Sequence, residues 1–72
     1  MKRVFVDSTS IASIGYDPAT RTLEIEFGDG DIYQYLNVPP IVHRDLMNAA
    51  SKGYYFAHFI KTTYACAKVE SK

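Results

Sequence analysis

A chain of 72 residues makes one domain, and at this size only about 60% of the unfolded surface is buried on folding. Hydrophobic residues are 47% of it, six tyrosines and four phenylalanines among them, which excludes a disordered ground state; eight basic against eight acidic residues leave no net charge, which argues against a strong general pull on nucleic acid. One cysteine, Cys66, excludes an internal disulfide, and no run approaches the roughly 20 apolar residues of a membrane span. The opening MKRVFVDSTS has too short an apolar run for a signal peptide, so a soluble cytoplasmic protein is expected.

Val4-Phe5-Val6 is a short β-prone run that adds an edge strand if it pairs at all. Asp7-Ser8-Thr9-Ser10 follows, with side chains suited to bonding nearby backbone amides and turning the chain. Ile11 to Tyr16 is the first firm strand, and Asp17-Pro18-Ala19-Thr20 is a turn with proline at its second position.

Leu23, Ile25 and Phe27 alternate with Glu24 and Glu26, which marks a half-buried strand with the two glutamates on a solvated face. Ile32 to Leu36 is its hairpin partner across Gly28-Asp29-Gly30. A two-residue turn would pair Phe27 with Ile32 and turn Tyr33 and Tyr35 to solvent. A three-residue turn with a bulge at Gly30 sets Phe27 opposite Asp31 and puts both tyrosines on the face of Leu23 and Ile25. The apolar area of two tyrosines favours the second register.

Pro39-Pro40 stops the sheet and starts a helix over Ile41 to Ala50, with Val42, Leu46 and Ala49 on one side and Arg44 and Met47 opposite. Ser51 is an N-cap for a second helix, with Gly53 weakening the junction. At helical spacing Tyr55, Phe56, Phe59, Ile60 and Thr63 form the apolar stripe, and Cys66 falls on it as a buried thiol. Tyr54, His58 and Lys61 form the outer stripe, joined by Lys68 if the helix runs that far.

The fold expected is α+β: a three-stranded antiparallel β-meander, four-stranded if Val4–Val6 joins, packed on two C-terminal α-helices as a single domain over 1–72. Leu23, Ile25, Phe27, Val42, Leu46, Phe56, Phe59 and Ile60 are its expected core.

Catalytic constellations are missing. His58 and Cys66 lie eight residues apart on the expected helix and cannot meet, and His43, His58 and Cys66 lack the paired spacing of zinc ligands. No metal, cofactor or enzymatic activity is expected. Ser51-Lys52-Gly53 opens a helix, where a hydroxyl, an ammonium and unpaired amides can meet an anion, although an ordinary cap with an exposed lysine uses the same residues. Charge is also unevenly placed: residues 1–38 hold six acids and three bases, whereas 39–72 hold two acids, five bases and both histidines.

Ser10-Ile11, Gly15-Tyr16, Leu23-x-Ile25-x-Phe27, Gly30, Tyr33-x-Tyr35, Val38-Pro39, Ser51-x-Gly53, Phe56, Ile60 and Tyr64 together resemble the KTSC domain, found at the C-terminus of some lysyl-tRNA synthetases and as a free-standing bacterial protein. The resemblance implies a small domain of uncharacterised function, with RNA binding indicated by the synthetase association. The RNA surface expected is the second helix and its N-terminus, with Tyr54 stacking on bases, His58 beside it, Lys52 and Lys61 meeting phosphate, and Lys68 and Arg44 as outer cations. The ligand would be tRNA-like or single-stranded RNA. The alternative is a protein-interaction module that presents Tyr33, Tyr35 or Tyr54 with Met47 to a partner. No membrane contact is expected, and a monomer is assumed.

Overall fold

The computed structural model describes residues 1–69. Five strands, β1 (Arg3–Phe5), β2 (Ile11–Asp17), β3 (Thr22–Phe27), β4 (Ile32–Tyr35) and β5 (Cys66–Lys68), form one antiparallel sheet in sequence order. Between β4 and β5 the chain makes helix α1 (Pro40–Asn48), then helix α2 (Lys52–Tyr55), which runs on into a π-helical turn over Phe56–Ile60. The architecture is therefore α+β as expected, with one strand more than the longest sheet the sequence led to.

The meander forms where alternation demands it. Ile14 opposes Ile25 and Tyr16 opposes Leu23 on one face, while Ser13, Glu24 and Glu26 take the other. At the hairpin, Phe27 N–H donates to the Asp31 carbonyl at 2.8 Å and Gly30 has a φ of +95°, open to glycine without the strain a side chain would bring. That is the bulged three-residue turn. Tyr33 consequently opposes Ile25 and Tyr35 opposes Leu23, with Tyr35 buried and Tyr33 half-buried.

Both helices cover this inner face. Leu46 of α1 and Phe56 and Ile60 of the π turn join Ile11, Ile14, Leu23, Ile25, Tyr35 and Val38 in one core. Phe56 is its centre, meeting the edges of Phe27 and Tyr35 at centroid distances of 5.3 Å each. Phe27 and Val42 pack against this core half-buried, as does Met47, which the sequence placed on the outer side of α1.

Two connections are fastened by the sequence. Ser8 Oγ accepts from the Ser10 and Ile11 amides at 3.3 Å each, holding the turn between β1 and β2. Val38, between β4 and α1, donates its N–H to Arg21 carbonyl at 2.9 Å and accepts from the Tyr16 hydroxyl at 2.5 Å. Tyr16 also stacks flat on His43 of α1 with centroids 4.7 Å apart, so one residue joins sheet, connection and helix.

Four expectations need correction. Glu24 is not on a solvated face: it is 6% exposed, because Arg3 of β1 lies over it. Phe59 is not core but 54% exposed, as the π turn explains below. The second helix does not carry on through Thr63 and Cys66. After Ile60 the chain turns and returns as β5, so Cys66 is an exposed residue paired with Tyr35 at the sheet edge, and Lys68 belongs to a strand. β5 eluded the helical-spacing reading because Thr62-Thr63-Tyr64-Ala65-Cys66 fits a stripe equally well, and the edge of β4 left open by the meander supplied the competing pairing.

Candidate nucleic-acid interface

The surface to be tested is the segment from Ser51 to Lys61. Ser51 caps it as the sequence predicts, its hydroxyl accepting from Tyr54 N–H at 3.2 Å. The i and i+4 spacing then sets rings over one another in two rows. Tyr54 lies on His58 with centroids 4.0 Å apart and ring planes 32° from parallel; Tyr55 lies on Phe59 at 4.9 Å and 37°.

The π turn decides which of these rings reach solvent. Lys61 N–H donates to the Phe56 carbonyl five residues back at 2.9 Å. A turn this wide advances each residue by less than the about 100° of an α-helix. Ile60 therefore stays above Phe56 against the sheet, and Phe59 swings off the buried side. Phe56 is 6% exposed and Ile60 fully buried, whereas Tyr54 and Phe59 are 62% and 54% exposed.

Electrostatics favour an anionic ligand on this segment. From Leu46 to Val69 the sequence contains no aspartate or glutamate, while Lys52, His58, Lys61 and Lys68 lie within it. Among the described residues neither Lys52 nor Lys61 has a carboxylate within ion-pair distance, in contrast to Arg44 beside Asp45 at 3.7 Å and Lys68 beside Asp31 at 3.5 Å. The sequence-predicted set thus divides. Tyr54 and His58 are in contact and Lys61 follows them on the same segment; Arg44 sits on α1 and Lys68 on β5, each with its charge shared.

Lys52 and the Ser51 cap border a cleft of about 200 Å³ that also takes in Asp7, Ser8, Thr9 and Ala50. Lys52 Nζ donates to the Ala49 carbonyl at 3.4 Å, and Asp7 brings a carboxylate to the same cleft, so its charge is mixed. Gly53 belongs here for a packing reason. A Cβ at this position would come within 2.5 Å of Ser10 Oγ, so the Ser10 turn and the second helix touch through the missing side chain. A wider, shallower groove of about 510 Å³ beside Met1, Lys2, Tyr16 and Asp17 contains none of the sequence-predicted residues.

The tyrosines of the Y-x-Y motif serve the core. Burial pushes the Tyr35 phenol up to about 12, with Cys66 beside it adding to the effect. Among the described residues no three His, Cys, Asp or Glu side chains come together as a metal site, no helix is long and apolar enough to cross a membrane, and no buried side-chain polar atom lacks a hydrogen-bond partner.

The profile of the KTSC domain matches residues 7–64, more than half of the chain. The chain belongs to the KTSC domain family. Its fold agrees closely with the crystal structure of a KTSC domain protein from Yersinia pestis, at a TM-score of 0.91 and 47% identity over 96% of this chain and 97% of that one. A protein from Stutzerimonas stutzeri is 46% identical over 61 residues, which are 85% of this chain and 86% of that protein. A lysine–tRNA ligase from Nostoc punctiforme is 47% identical over 55 residues, which are 76% of this chain and 10% of the ligase. The KTSC unit thus matches both a free-standing protein and a tenth of a much longer one.

Sequence reasoning missed Phe59 as a surface ring. The signal was present: Tyr54, Tyr55, Phe56, His58 and Phe59 put five rings in six residues, more than one buried stripe can take.

Proposed function

We propose that this KTSC domain is a non-enzymatic binding module of the cytoplasm that holds RNA on the outer face of its second helix. The observation that carries this reading is the exposed Tyr54–His58 pair, 4.0 Å between centroids, on a stretch of 24 residues, 46–69, that has cations and no acid. Exposed rings stack on unpaired bases and lysines meet phosphate. The ligase from Nostoc punctiforme supports the reading by its name, since a unit resembling this chain is part of a protein that acts on tRNA. The pairing of every buried polar side chain among the described residues supports a structural rather than catalytic use of the interior.

The protein-partner reading has less to stand on. Tyr35 is buried, and Tyr33 and Met47 are half-buried against the core, which leaves Tyr54 alone from the tyrosine and methionine patch that this reading needs.

Titration of a labelled ten-nucleotide single-stranded RNA at low salt tests the proposal. The parent should bind weakly, and Tyr54→Ala should weaken it by about 5- to 100-fold, the range that one base–aromatic stack supplies. No binding to single-stranded or tRNA-like RNA at low salt would end the RNA reading and put the partner surface first.

A further inference from the structure

We infer that the π-helical turn at Phe56–Ile60 makes the RNA surface a two-base platform, specific for unpaired strands, with Phe59 as its second stacking ring. This rests on the RNA reading above and extends it to a ligand class and a residue.

An α-helical continuation would have buried Phe59 beside Phe56 and Ile60. The five-residue hydrogen bond from Lys61 N–H to the Phe56 carbonyl keeps only Phe56 and Ile60 inside. Phe59 is left 54% exposed on the same segment as Tyr54, which is 62% exposed. Neither ring is loose, because His58 backs Tyr54 and Tyr55 backs Phe59. Two braced, outward rings in neighbouring rows offer π-faces to two bases, and the charge complement is present in Lys52 and Lys61, neither paired with an acid among the described residues.

Base pairing hides the faces that such rings need. A duplex would present mainly phosphate, and two free lysines are too few to hold a duplex by charge. The ligand is therefore an unpaired stretch, and stacking is indifferent to the sugar, so RNA and DNA strands share the chemistry.

The experiment compares the parent, Tyr54→Ala, Phe59→Ala and Phe59→Leu, binding labelled ten-nucleotide adenosine and uridine RNA, the matching DNA strands and an RNA duplex. Both Phe59 variants should lose about 5- to 100-fold for single strands, because leucine keeps apolar bulk without a π-face. The melting temperature of each should stay within a few degrees of the parent, as expected for an exposed side chain. The duplex should bind more weakly than the strands, and a preference for RNA over DNA strands would locate the source. If Tyr54→Ala loses binding while both Phe59 variants keep it, the platform is overturned and the RNA reading stands. Equal binding of duplex and strand also overturns the platform, and absence of any binding by the parent removes both.

Discussion

The guanidinium of Arg3 crosses above Gly15 to pair with the carboxylate of Glu24. The three residues lie in one row across β1, β2 and β3, and a Cβ on Gly15 would come within 2.9 Å of Arg3 Cγ and 2.8 Å of the Lys2 carbonyl. Gln34, next in the row, donates to the other carboxylate oxygen at 2.8 Å; Arg3 Nε donates to Ser13 Oγ, and Ser13 Oγ donates to Glu26, at 2.9 and 2.7 Å. The outer face of the sheet is thus a hydrogen-bonded network that ties β1 down.

Removing the Arg3 side chain takes from Glu24 its ion pair and its cover, and leaves it the hydrogen bond from Gln34. Arg3→Ala should cost about 1–3 kcal/mol, discounted from the full value of a buried pair because the arginine is partly exposed. Gly15→Ala should cost a similar amount by displacing β1. Chemical denaturation of both variants measures this, and parental stability in either would show that the network is decoration.

Acid should weaken the domain in two steps. Burial holds the His43 imidazole, against Tyr16, below its ordinary 6.5. The unfolded chain then binds the proton more readily, so this contribution is whole above about pH 6.5 and is lost as pH falls through the lowered value. Glu24 follows the same sign. Burial alone would raise its carboxyl, but hydrogen bonds from Gln34 and Arg3 and the arginine's charge together hold it below the ordinary 4.5. Its contribution is whole above about pH 4.5 and is lost on further acidification. His43→Gln should abolish the first step of a melting-temperature profile and leave the second; a melting temperature that rises between pH 7 and 5 would contradict the His43 assignment, and one that rises as pH falls below about 4.5 would contradict that of Glu24.

Phe56 and Phe59, three residues apart and equal in the α-helical reading, should behave oppositely. Phe56→Ala should cost about 3–5 kcal/mol, comparable with the roughly 4–10 kcal/mol expected for a domain of this length. Phe59→Ala should change stability by no more than about 0.5 kcal/mol. Equal losses would mean that Phe59 is packed inside.

Most of the fold was legible because alternation and turn chemistry agreed. Leu23-x-Ile25-x-Phe27, the Gly30 bulge, Pro39-Pro40 and the Ser51 cap each specify a local geometry that the packed domain keeps. The misreadings share one cause. Glu24, Phe59 and Cys66 were assigned from the period of their own segments, whereas their positions depend on distant residues or on a change of helical pitch: Arg3 covers Glu24, the π turn releases Phe59, and the open edge of β4 recruits Cys66. The family's motif residues prove mainly structural, with Tyr16 holding Val38, Ser10 meeting Gly53, and Tyr35 and Phe56 in the core. For that reason the outer ring row, not the motif, marks the candidate surface.

The salt dependence of single-strand binding tests the RNA reading most directly. With Lys52 and Lys61 in no ion pair among the described residues, and the ion-paired Arg44 and Lys68 as outer cations, two to three phosphates are expected to be neutralised, for a slope of log affinity on log salt of about −1.5 to −2. The joint change Lys52→Ala and Lys61→Ala should flatten that slope by about 1 to 1.5. A slope near zero in the parent, or one unmoved by the double change, would contradict phosphate contact by this helix.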